Sequence, residues 1–251
     1  MNPDFIVFDN VSHRFADGKL GLDRVSLRIF KGSFVVIAGA NGSGKTTLLR
    51  HLNGLLLPAT GDVWVDGLKV SDHPAGARLK VGMVFQDADS QIVGQTVRDD
   101  VAFGPRNLGL SPDEIRRRVD EAIDEVGLAA LADSPPFLLS GGEKRRLAIA
   151  GVLAMKPTVV VFDEPFSNLD YPGVRQVLSC MATVHEGGRT IVVTTHDLEK
   201  VLFLADRLVL IDGGRIVRDG TPDLVVKAAE TFGVREPCAS RMGLEVTSWL
   251  S

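Results

Sequence analysis

The feature that most constrains this chain is the octapeptide Gly39-Ala-Asn-Gly-Ser-Gly-Lys-Thr46. It follows the apolar run Phe34-Val-Val-Ile-Ala38 and leads into Lys45-Thr-Thr-Leu-Leu-Arg-His-Leu-Asn53, whose pattern predicts a helix starting at the loop. A strand, a Gly-x-x-x-x-Gly-Lys-Thr turn and a helix, in that order, make a phosphate cradle. Glycines let successive backbone N–H groups turn onto phosphate oxygens, and the positive end of the helix adds to the same anion. Gly39, Ala40, Asn41, Gly42, Ser43 and Gly44 are expected to form the cradle, with Thr47 beside it. Lys45 places a cation at the β- and γ-phosphates, and the Thr46 hydroxyl can ligate Mg²⁺. The expectation is a chain that binds and hydrolyses ATP with Mg²⁺.

Hydrolysis needs a metal-side carboxylate and a way to activate water. Thr158-Val-Val-Val-Phe162 is a β-branched run ending in Asp163-Glu164. The carboxyl ends of strands are where open α/β sheets place their ligands. Asp163 suits the metal shell, and Glu164 can reach an attacking water as general base. His196 follows a second such run, Thr190-Ile-Val-Val-Thr194, and is placed to contact a γ-phosphate or orient the same water. Gln86 ends the run Val81-Gly-Met-Val-Phe85, where its amide could touch both Mg²⁺ and water.

The two β-branched runs fit central strands covered on both faces, so the fold class is α/β with a parallel core sheet. The opening region differs. Residues 5–8, 25–30, 34–38 and 61–67 are short β-rich runs, expected to carry antiparallel strands beside that core. Residues 208–211 and 215–217, around Asp212-Gly213-Gly214, predict a terminal hairpin. Residues 95–155 are more helical and charged, with Ser111-Pro112 as a helix start. The expected layout is one domain over 1–251. About 1–90 and 157–220 form the nucleotide-binding core, about 91–156 a helical subdomain, and 221–251 a helix with a loosely packed tail.

A net charge of −4 gives no electrostatic footprint for nucleic acid, so none is expected as a partner. The start of the chain lacks the pattern of a secretory signal. No segment reaches about 18 uninterrupted apolar residues, so none is expected to span a bilayer. Cys180 and Cys238 are too few for a disulfide framework or a zinc cluster and are expected to be reduced, as in the cytosol.

Leu139-Ser-Gly-Gly-Glu143-Lys-Arg-Arg resembles the signature motif of ATP-binding cassette (ABC) ATPases. With it the other pieces fall into that family's order: Gly39–Thr46 as Walker A, Gln86 as the Q-loop, Asp163 and Glu164 as the end of Walker B, Ser167–Asp170 as the D-loop and His196 as the switch histidine. Phe15 resembles the aromatic that stacks on adenine. That position more often holds tyrosine, but phenylalanine keeps the π-face. The resemblance implies two cassettes meeting head to tail around ATP, with Ser140, Gly141, Gly142 and Glu143 supplied by the partner protomer. It leaves a homodimer as the default and pairing with a paralogue open. Residues 86–110, with Asp89-Ser-Gln-Ile-Val93 and Val101-Ala-Phe-Gly-Pro-Arg-Asn-Leu-Gly109, look like the ATPases of energy-coupling factor (ECF) transporters, and Arg50-His-Leu-Asn-Gly-Leu55 also fits. That narrower resemblance implies uptake of cobalt, nickel or a vitamin. It also implies a transmembrane scaffold, a substrate-binding membrane subunit, and a place on the cytoplasmic face of the membrane. The alternatives are the ATPase of a conventional ABC transporter and a soluble ABC ATPase acting on ribosomes or DNA.

Overall fold

The structure, a computed structural model, describes residues 4–250. The chain begins with strands β1 (Asp4–Arg14), β2 (Leu20–Phe30) and β3 (Phe34–Ala38), then helix α1 (Lys45–Leu52). Strands β4 (Thr60–Val65) and β5 (Leu68–Lys69), helix α2 (Pro74–Lys80) and strand β6 (Val81–Val84) follow. Helices α3 (Val97–Asn107), α4 (Pro112–Glu125) and α5 (Gly141–Leu153) come next. Strand β7 (Val159–Asp163), helix α6 (Tyr171–Glu186) and strands β8 (Thr190–Thr195), β9 (Arg207–Asp212) and β10 (Arg215–Gly220) complete the core. Two short helices, α7 (Pro222–Val225) and α8 (Cys238–Arg241), close the described chain.

One sheet has the order β10-β9-β3-β8-β7-β6. Its strands from β9 to β6 are parallel, and β10 pairs antiparallel with β9. The β-branched runs are continuous because both faces are covered. Val36, Val160, Val193 and Leu208 pack on the side of α3–α6. Their chain neighbours Val35, Val161, Val192 and Val209 pack on the side of α1 and the second sheet. Each such side chain is fully buried, which contributes about 1.5–3 kcal/mol before entropy costs. The second sheet is antiparallel, in the order β2-β1-β4-β5.

β1 and β2 are each 11 residues long, far beyond the short runs legible in the sequence. Register shifts between Phe8 and Val11, with Asn10 and Arg24 in the left-handed region, break the apolar alternation without ending the pairing. The 95–155 stretch is helical, and Ser111 caps α4 by accepting from the Glu114 N–H at 3.4 Å. The helix expected after residue 220 is a short α-helical turn that runs on as a 3₁₀ segment. Pro222 starts a four-residue helix and Pro237 caps another, Cys238–Arg241, and the 3₁₀ segment Val226–Phe232 ends at Gly233, with φ of 72°. The tail is also less loose than expected. Val246, Trp249 and Leu250 pack against the core, and Arg175 Nη2 donates to the Leu250 carbonyl at 3.2 Å. Both cysteines are free; burial pushes the Cys180 thiol up to about 12, so it stays protonated.

Candidate nucleotide-hydrolysis site

The cradle sits where β3, at the centre of the parallel sheet, hands over to α1. Two of its glycines are required by space. A Cβ on Gly39 would lie 2.3 Å from the Ile211 carbonyl oxygen, and one on Gly44 would lie 2.8 Å from that of Gly21. Gly44 also has φ of 110°, which side-chain-bearing residues rarely adopt. Lys45 folds back over the loop it follows. Its Nζ donates to the carbonyls of Gly39 at 2.7 Å and Ala40 at 3.1 Å. Ser43 Oγ is buried without a hydrogen-bond partner, which leaves a donor available inside the cradle.

β7 delivers the two carboxylates. Asp163 is buried, and its Oδ1 accepts from Thr194 Oγ1 on the neighbouring β8 at 2.7 Å. Glu164 leaves the sheet with φ of 48°, a left-handed turn that swings its side chain toward the loop. Its Oε1 lies 3.2 Å from Lys45 Nζ, an ion pair that lacks hydrogen-bond geometry. Its Oε2 accepts from His196 Nδ1 at 2.9 Å and from the His196 backbone N–H at 3.4 Å. A carboxylate only accepts, so in this pair His196 Nδ1 is the donor. Lys45 and Glu164 are only 6% and 7% exposed, so this pairing acts at low local dielectric.

Phe15, Asn41, Gly42, Gly44, Lys45, Thr46, Thr47, Gln86 and Glu164 line one cleft of about 440 Å³. Gly39, Ala40 and Ser43 stand behind it as supports, and Asp163 and His196 flank Glu164. Lys19 and Gly21 line the same cleft and carry no motif. They arrive through the hairpin after Phe15, and the Asp17-Gly18 turn between two β-rich runs was the available signal. No group of three or more His, Cys, Asp or Glu among the described residues could hold a metal alone. A Mg²⁺ here fits only by sharing phosphate oxygens with the few protein oxygens present, which is its usual habit.

The signature residues lie elsewhere. Ser140, Gly141 and Gly142 line a second cleft with Asn168, Leu169 and Asp170, and it shares no lining residue with the first. Ser140 caps α5 in a capping box. Its Oγ accepts from the Glu143 N–H at 3.3 Å, while Glu143 Oε2 accepts from the Ser140 N–H and hydroxyl, each at 2.7 Å. Glu143 does not line the cleft; its carboxylate is turned back onto the cap, which assigns it to shaping the turn. The Ser140 hydroxyl and N–H hold the Glu143 carboxyl below the usual carboxylate range.

A phosphate cradle at the end of a central parallel strand, with a paired carboxylate and histidine, defines a P-loop ATPase. Residues 22–167 match the family model described as ABC transporter, and the chain belongs to that family. The energy-coupling factor transporter ATP-binding protein EcfA1 of Clostridium novyi is 45% identical, over 98% of this chain and 88% of that protein. The cobalt import ATP-binding protein CbiO of Syntrophus aciditrophicus is 47% identical, over 88% of this chain and 80% of its own length. The solved structure of cbiO1 from Clostridium perfringens, part of the ABC transporter complex cbiONQ, superimposes with a TM-score of 0.83 at 35% identity, covering 91% of this chain and 92% of that one. A dimeric ATP-binding cassette bound to ADP and Pi, in a post-hydrolysis state, gives 0.76 at 30% identity, covering 86% and 98%. The protein is an ATP-binding, ATP-hydrolysing cassette.

Proposed function

We propose that this chain is the ATPase subunit of an ECF-type importer for cobalt, nickel or a vitamin, working as a head-to-tail dimer that closes on ATP. The separation of the two clefts carries the dimer. One protomer's loop, Glu164 and His196 face the nucleotide. The partner's Ser140, Gly141 and Gly142 approach from the other side, with the N–H groups of its α5 aimed at the γ-phosphate. Asn41, Gly42, Gly44 and Lys45 bind the phosphates, and Phe15 supports adenine.

Glu164 takes the proton of the attacking water, held in place by Lys45 and by His196 Nδ1. When bound, Mg²⁺ neutralises developing phosphate charge, and Thr46, Gln86 and Asp163 are the residues that would hold it. Loss of the γ-phosphate removes the contacts that favour the closed dimer, which shifts the population back to the open one.

A groove of about 410 Å³ between the parallel sheet and the helices supports a membrane partner. Leu55, Val93 and Phe103 line it and are 48–61% exposed. Exposed apolar side chains clustered in one groove mark an interaction site. No helix among the described residues is long and apolar enough to cross a membrane. In the proposed importer, integral membrane subunits hold this chain at the cytoplasmic face. Affinity purification of the full chain from solubilised native membranes tests this. An integral membrane protein is expected in stoichiometric amounts, and a stable complex with ribosomes would overturn the reading.

A further inference from the structure

Arg145 lies on the second turn of α5 and is only 4% exposed. No carboxylate pairs with it among the described residues. Its guanidinium forks instead onto two consecutive carbonyls of the turn after β6. Nη1 donates to Phe85 O at 2.5 Å and Nη2 to Gln86 O at 2.7 Å. Its Nε is buried without a partner. Burial lowers its pKa, and the charges of Asp87 and Asp89 work in the opposite direction. A buried cation with an unmade hydrogen bond is a poor way to hold a fold together, because an apolar side chain of similar volume often does so at no loss. What the fork does supply is geometry: two parallel bonds fix the position and direction of the backbone that carries Gln86.

The rest of this joint is equally tight. Lys144 Nζ meets Asp89 Oδ1 at 2.6 Å. Inside the turn, Gln91 accepts from the Phe85 N–H and donates to the Met83 carbonyl, both at 3.1 Å. A Cβ on Gly82 of β6 would stand 2.3 Å from Val152 Cγ1 of α5, so strand and helix are in direct contact a few residues away. Gln86 lines the cleft of its own protomer, and Ser140 begins the same helix as Arg145, about 7.5 Å along the axis at 1.5 Å per residue. A helix is stiff over that length.

We infer that Arg145 is a positioning residue that makes the Gln86 turn and the Ser140 turn move as one body. Occupancy of a protomer's own nucleotide cleft is then felt at the cleft it completes for its partner. This inference rests on the ATP-bridged dimer proposed above. It gives Arg145 a part in cooperativity between two nucleotides, distinct from binding either one.

The test uses the full chain with Arg145→Gln and Arg145→Lys. ADP affinity reports one cleft alone, melting temperature reports the fold, and ATPase rate against ATP concentration reports coupling. The parent chain is expected to show a Hill coefficient above 1. Arg145→Gln is expected to keep ADP affinity within about twofold, lose roughly tenfold in kcat and bring the Hill coefficient close to 1. Arg145→Lys keeps the charge without the fork, and is expected to fall between the two. A folded variant of either kind with the parent's kcat and Hill coefficient overturns the inference. So does a loss confined to ADP affinity and melting temperature. If the parent itself shows a Hill coefficient of 1 and stays monomeric with ATP, the dimer reading fails and takes this inference with it. Unchanged coupling in a variant whose parent dimerises removes the inference alone.

Discussion

The chain carries two clefts, one at the phosphate cradle and one at the signature turn, and they are built differently. The phosphate cradle is cross-braced through the core: Lys45 is tied to Gly39, Ala40 and Glu164, Glu164 to His196, and Asp163 to Thr194. The signature turn at Ser140–Glu143 is held by its own capping box at the start of a helix beside an open cleft, and its ties to the rest of the fold come from the residues that follow, Lys144 and Arg145. A surface that must hold charge through a reaction is preorganised in the interior. A surface that must dock and release needs only local order. In the proposed dimer, that difference puts the chemistry within one protomer and the switching in the contact between two.

Breaking the cradle side should have the largest effect. Glu164→Gln removes the base and keeps the size, and turnover should fall by about 10²–10⁴-fold while ATP still binds. Steady-state phosphate release and equilibrium ATP binding, measured on the same sample, check it. Full activity in that variant would remove Glu164 from its role. Gly39→Ala should come next. Its methyl meets the Ile211 carbonyl, which is backbone and cannot step aside, so about 1–3 kcal/mol of stability should go, along with ADP affinity. Melting and ADP titration report both.

The signature side should respond more gently and in a different measurement. Ser140→Ala loses a helix cap worth about 1 kcal/mol. It should lower ATPase activity by several-fold through the partner while leaving ADP affinity in the cradle unchanged. A parallel loss of ADP affinity would erase the distinction between the two surfaces. The smallest effect concerns pH. The folded Glu143 carboxyl is held below its ordinary range, so its stabilisation is fully present above the unfolded value of about 4.3. It is lost as pH falls through the lowered value in the folded chain. The melting difference between the parent and Glu143→Gln should be constant from pH 7 to 5 and shrink at more acid pH.

The two surfaces were also unequally legible in the sequence. The cradle is local: eight consecutive residues, their strand and their helix specify it, and Asp163-Glu164 closes a run whose period already marks a buried strand. The signature turn is local too, and Ser140 with Glu143 spells a capping box. What could not be read there was that the box consumes the Glu143 carboxylate, because its direction depends on the rotamer at the cap. Lys19, Gly21 and Thr194 were missed because they reach the site through sheet pairing, which no short spacing encodes. Arg145 was hidden by its neighbours: a Lys-Arg-Arg run looks like a solvated helix face until the fold buries its middle residue. At the end of the chain a helix and a tail were legible, but the docking of Val246, Trp249 and Leu250 was not, since they pack singly onto the core without a helix to give them a period.

In the proposed dimer, ATP acts as the joint between two copies. Sedimentation velocity of the Glu164→Gln chain, at micromolar protein with saturating MgATP and then with MgADP, measures that joint. A dimer with ATP that returns to monomer with ADP is the predicted result. A monomer in both nucleotides, with ATP demonstrably bound, would contradict it.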